Sequence, residues 1–207
     1  MQKDNEWVSI GDFMAGIVGI LVLFFVMAVL ITVTSQAEIE EEKQRGAREV
    51  IARLRGLVEN NKELQGIKFI PERNAMLLPD SSFTQGSACL NRNLKQYFEA
   101  KLAPRIRKEL LDNSNLAIQI EGHTDTVPVQ GVKANIRAAC APFDDNYTLS
   151  AGRAREARKA LFSSTDSMEL IKRVSVVGYG ADRLLNSQQP TAAENRRVEI
   201  RFINNVN

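Results

Sequence analysis

Polar side chains gather at two kinds of place in this chain, and the first holds a single carboxylate. Asp12 precedes a run, residues 13–33, that carries no charge, while Trp7, Val8, Ile10 and Gly11 continue the apolar character on its other side. A helix rises 1.5 Å per residue, so the run covers about 31 Å, roughly the hydrocarbon thickness of a bilayer. The acid then lies about one and a half turns inside the span, where a buried charge is costly and the usual compensation is a role on an ion path. An acid ahead of an apolar run also serves as a helix cap, and the spacing admits both roles. Ser35-Gln36-Ala37 resembles a leader cleavage site, but the run is too long for a leader core and the N-terminal MQKDNE is not clearly basic. Gly11, Ala15 and Gly19 recur every fourth residue, a smooth face on which a second helix packs closely in lipid.

The second place is a set of short polar motifs: Gly122-His123-Thr124-Asp125, residues 146–154 (NYTLSAGRA), Gly178-Tyr179-Gly180 and Asn195-Arg196-Arg197. One acid, several hydroxyls and amides and a few arginines suit a ligand that carries both an amine and a carboxylate. They do not suit a hydrolase. The Gly-x-Ser-x-Gly, His-Glu-x-x-His and P-loop lysine patterns are all missing, so neither an enzyme nor a cofactor or metal is expected. His123 reads as a structural hydrogen-bonding residue rather than a general base.

The elements that must position these motifs follow from periodicity. Residues 67–70 and 76–78 read as short strands around Pro71-Glu72-Arg73-Asn74, and 90–111 as a helix divided by Pro104. Residues 116–121 alternate as a strand, 150–162 form a helix capped by Ser150, and 174–177 and 197–203 are further strands. Strands separated by helices predict an α/β (α+β) sandwich with a small mixed sheet and helices on one face. Each motif then sits at the end of a strand or the start of a helix. Ahead of this domain, residues 34–65 read as a helical linker with an apolar stripe through Ala47, Val50, Ile51, Leu54, Leu57 and Val58. The stripe must be buried somewhere, as a gate or as a pairing helix.

Composition narrows the classes further. A chain of 207 residues with a net charge of +2 and no basic stripe gives no reason to expect nucleic-acid binding. Cys89 and Cys140 lack metal-ligand spacing and fit either a disulfide or two buried thiols.

The ordered motifs GHTD, N-x-x-L-S-x-x-R-A, GYG and NRRVEI resemble the OmpA-like peptidoglycan-binding domain, over roughly residues 67–203. LLPDSSFTQGSACL is similar to that family's opening strand and loop. The resemblance implies that Asp125 meets the ammonium and Arg153 the carboxylate of a stem-peptide diaminopimelate, with Thr124, Asn146 and Arg197 in support. Between Asp125 and Asn146 the chain carries extra residues, including Cys140, which a link to Cys89 would clamp to the pocket rim.

Span, linker and domain together resemble the MotB family of ion-driven stator subunits, whose members include the flagellar form and the ZorB subunit of the Zorya anti-phage system. That resemblance implies a tail at 1–6 in the cytoplasm, a membrane helix at 7–33, a linker or plug at 34–65 and a periplasmic wall-binding domain at 66–207. It further implies a bacterial inner-membrane location, a polytopic MotA- or ZorA-like partner forming a pentamer around a homodimer, and H⁺ or Na⁺ carried by Asp12. The alternative is a passive wall anchor without ion transport.

Overall fold

The computed structural model describes residues 2–59 (backbone alone for 2–9, 39–44, 57 and 59), 64, 66–85, 87–129, 140 and 143–204. Helix α1 spans Gln2–Glu59, and the chain divides into two compact units, Met1–Lys43 and Gln44–Asn207.

In the first unit, Ile10–Glu38 contains an 18-residue window of mean hydropathy 3.0 and is long and apolar enough to cross a membrane. Its threonine hydroxyls are satisfied internally, as an apolar surround demands: Thr32 Oγ1 donates to the carbonyl of Ala28 at 2.8 Å and Thr34 Oγ1 to that of Leu30 at 3.0 Å. Leu23, Phe24 and Phe25 point outward along with most of the run, which suits lipid and not water. The side chain of Trp7 lies outside the described residues.

The second unit is a five-stranded sheet in the order β1-β2-β5-β3-β4. Strands β1 (Lys68–Ile70) and β2 (Ala75–Pro79) form a hairpin, turned by a 3₁₀ segment at Pro71–Arg73 and by Asn74 in the left-handed region at φ 48°. Strand β5 (Arg197–Asn204) runs antiparallel to β2 and to β3 (Leu116–His123), and β4 (Val174–Gly178) pairs parallel with β3. The sheet is therefore mixed, as expected. Period-2 alternation places Ile118, Ile120, Val198, Ile200, Phe202, Met76 and Leu78 on one face, all buried. Helix α4 (Asn146–Leu161) covers that face together with α2 (Arg92–Tyr97) and α3 (Ala103–Asp112). Two glycines permit the close approach of α4: a Cβ on Gly122 would collide with the Ser150 backbone, and one on Gly178 would come within 2.7 Å of Ala151.

Several local expectations are corrected by the structure. Helix α4 begins a turn earlier than Ser150, because Asp145 accepts the Thr148 N–H at 2.7 Å while Thr148 Oγ1 accepts the Asp145 N–H, a reciprocal cap. Ser150 is instead buried. The division near Pro104 is a π-helical turn at Phe98–Leu102 joining α2 to α3, with the proline at the start of α3, where its missing N–H costs least. A short helix, α5 (Met168–Lys172), capped by Ser167, stands before β4 where none was expected.

The compact unit begins at Gln44 and not at residue 66, so the proposed linker is partly domain. Ala47, Val50, Ile51, Leu54 and Val58 are buried in the core of this same unit. Arg53 reinforces the seat with a two-pronged ion pair to Glu109, at 2.9 and 2.7 Å. The Leu57 side chain and most of the extra residues after Asp125 lie outside the described residues.

Candidate functional site

The end of β3, the start of α4 and the segment ahead of β5 converge at one end of the sheet. The Asp125 carboxylate accepts the Val127 N–H on Oδ1 at 3.1 Å, an Asx turn that fixes the loop leaving β3. Asn146, in the first turn of α4, braces that loop by donating Nδ2 to the carbonyls of Asp125 and Val127, both at 3.1 Å. Its role is to hold Asp125 in place. Ser150 ties α4 to the loop after β4, donating to the Tyr147 carbonyl at 2.8 Å and accepting the Gly180 N–H at 3.0 Å. Thr124 donates its backbone N–H to the Gly180 carbonyl at 2.8 Å, and its hydroxyl is buried without a partner among the described residues.

One turn further along α4, Arg153 lies with its side chain 5% exposed. Its Nε donates to the Ser87 carbonyl at 3.2 Å, and the guanidinium stacks 5.1 Å from the centre of the Phe83 ring. Burial pushes its pKa down, while the charges of Asp80 and Asp125 act against that shift. The Cys89–Cys140 disulfide, with Cα atoms 5.2 Å apart, pins the extra segment to the loop that carries Ser87. The Ser87 carbonyl in that loop is the one that accepts from Arg153.

Two further charges complete the site and were missed in the sequence. Arg196 Nη1 donates to Asp125 Oδ2 at 2.6 Å and Arg196 Nε to Asp80 Oδ2 at 3.2 Å, while Arg153 Nη1 lies 2.8 Å from Asp80 Oδ1. The Arg196 guanidinium is held above its ordinary pKa by the hydrogen bond it donates to Asp125, against some desolvation. Strand alternation contained the signal for Arg196. With Val198, Ile200 and Phe202 facing the helices, Arg197 must face away from them and Arg196 must return to the helix side.

The structure thus gathers Thr124, Asp125, Asn146 and Arg153, but it places Arg197 on the other face of the sheet. There Arg197 is 1% exposed and donates to Glu199 at 2.6 Å and to the carbonyls of Asn195 and Arg183, both at 3.2 Å. His123 stacks on Tyr179 in the same layer, with ring centres 5.4 Å apart. Glu121, His123 and Glu199 bring potential ligand atoms within 4.8 Å of one another, the donor set of a metal site. Each carboxylate already holds guanidinium, Glu121 that of Arg201 at 2.8 Å and Glu199 those of Arg197 and Arg73 at 2.6 and 3.0 Å. A dication would join three guanidiniums and only two carboxylates, so the cluster fits a structural network better than a metal centre.

Comparison with known proteins gives three findings. The sequence matches the OmpA family over residues 82–197. It is 27% identical over 183 residues to motility protein B of Escherichia coli K12, covering 83% of this chain and 55% of that one, so the chain spans about half the length of the curated relatives it matches. Among solved structures it is similar to a MotB-like protein from Desulfovibrio vulgaris, with a TM-score of 0.56 and 20% identity over 80% of this chain and 99% of that one.

Proposed function

This chain belongs to the OmpA family, and on that premise we propose that the Asp125–Arg153 site binds the diaminopimelate of a peptidoglycan stem peptide, the carboxylate taking its ammonium and the guanidinium its carboxylate. One observation carries the reading: two opposite charges, each more than nine-tenths buried, stand at one end of the sheet on a braced loop and a docked helix. Buried charges of that kind bind a zwitterion with orientation as well as affinity.

With the apolar helix and the likeness to motility protein B, the anchor belongs to a single-pass inner-membrane subunit of an ion-driven stator, with the wall-binding domain in the periplasm. Asp12 is the group that takes up and releases the coupling ion, H⁺ or Na⁺, next to a polytopic MotA- or ZorA-like partner arranged as a pentamer around a homodimer. A charge crossing the membrane gains about 2.3 kcal/mol per 100 mV, which is the energy such a subunit would transmit. The motor served is flagellar or of the Zorya type.

The anchor is tested by co-sedimenting the detergent-solubilised full chain with purified sacculi. Asp125→Asn and Arg153→Gln each leave a ligand charge unpaired, so affinity falls about 30-fold or more. Undiminished sedimentation of both variants would refute the site.

A further inference from the structure

Both inner charges of the site are already engaged. Asp125 and Arg153, with side chains 7% and 5% exposed, are capped by Arg196 and Asp80, with side chains 32% and 35% exposed. The outer pair therefore lies on the solvent side of the inner one. Arg196 sets a cation on the Asp125 carboxylate at 2.6 Å, Asp80 sets a carboxylate 2.8 Å from the Arg153 guanidinium, and the two hold each other at 3.2 Å. This is the charge pattern that the ammonium and carboxylate of a zwitterion would present.

We propose that the Asp80–Arg196 pair is a built-in competitor that occupies both seats of the site and is displaced, as a unit, when a zwitterionic ligand binds. The proposal rests on the ligand class assigned under Proposed function. Contact geometry supports displacement. Although Asp80 Oδ1 and Arg153 Nη1 are close, neither makes a well-directed hydrogen bond, whereas a ligand carboxylate free to align can meet the guanidinium with two. The chain supplies the slack as well. Asp80 opens the 3₁₀ turn Asp80–Ser82 and Arg196 lies just ahead of β5, so neither side chain is locked in the core.

Specificity follows from the pairing. A ligand with only one charge regains one contact after breaking the chain of ion pairs, and the other seat stays filled by its own partner. A ligand with both charges at the right spacing replaces both contacts and leaves Asp80 and Arg196 bonded to each other in water. The pair thus rejects simple amines and simple carboxylates that the inner charges alone would accept.

Asp80→Asn and Arg196→Gln test this in the detergent-solubilised full chain, with meso-diaminopimelate in calorimetry and with sacculi in co-sedimentation. Partly exposed ion pairs contribute up to about 1 kcal/mol each, so each variant should bind both probes about 3- to 10-fold more tightly. Each should also bind acetate or methylammonium more readily than wild type does. Thermal midpoints measured alongside establish that both variants are folded. Weaker or unchanged affinity in both folded variants overturns the competitor. Asp125→Asn separates the two ways of failing: if it binds sacculi as wild type does, the ligand reading falls and the competitor with it. If it loses binding while Asp80→Asn and Arg196→Gln gain none, only the competitor falls.

Discussion

Glu121 and Glu199 sit at the same rung of the β3–β5 ladder, where like charges repel unless each is neutralised. Burial alone would raise the Glu121 pKa, but contacts from His123 and Arg201 prevail and bring it from an ordinary 4.5 to about 2. His123 goes the same way for the opposite reason. Burial disfavours its cationic form and pushes its pKa below 6.5, with Glu121 only partly opposing. Its Nε2 lies 3.4 Å from Glu121 Oε2, close enough to act electrostatically though too poorly aligned for a directed hydrogen bond. In both cases the unfolded chain takes up a proton before the folded one does, so stability is complete above the unfolded pKa and declines as pH falls. The thermal midpoint of the second unit should hold above about pH 6.5, fall below it as His123 contributes, and fall further from about 4.5 towards 2 as Glu121 does. His123→Gln should remove the upper part of that decline and leave the lower. A calorimetric midpoint that is flat from pH 7.5 to 5 in the wild type would contradict the assignment.

At the scale of elements, the end of α1 decides the most. The period of its stripe identified an amphipathic helix, but periodicity says only that a face is covered and not by what. Here the cover is the core of the chain's own second unit. Emptying a fully buried leucine position in such a core costs about 3 kcal/mol. Leu54→Ala should therefore lower the midpoint of the second unit in a calorimetric scan of the full chain, with Val50→Ala smaller in the same direction. Unchanged unfolding in both would return the stripe to a role outside the domain, as a gate or pairing helix. Helix α4 teaches a related lesson. Ser150 is a common capping residue ahead of a helical run, yet Asp145 has the stronger claim because Thr148 completes a reciprocal cap. Ser150 was then free to bridge to Gly180.

For the whole molecule, the proposed work needs an ion-carrying acid and a fixed anchor in one chain. Asp12→Asn keeps the shape of the side chain and removes its titration. Expressed with the polytopic partner, this variant should assemble and bind sacculi as wild type does while ion flux and motor output vanish. Retained output would leave a passive anchor as the better reading.

The sequence by itself determined the membrane-crossing length of residues 13–33, the mixed α/β class and most strand positions, because each rests on periodicity, while Asp125 and Arg153 were singled out only through a resemblance. Strand alternation already assigned Arg196 and Arg197 to opposite faces, and only the tertiary structure decided which partners each of them meets. Partners across a sheet change with its register, and the pairing of β5 with β2 and β3 fixes them. Asp80 was equally hidden. It stands far from Arg153 and Arg196 in sequence, and a contact of that kind exists only once β2, α4 and β5 have packed around a shared core.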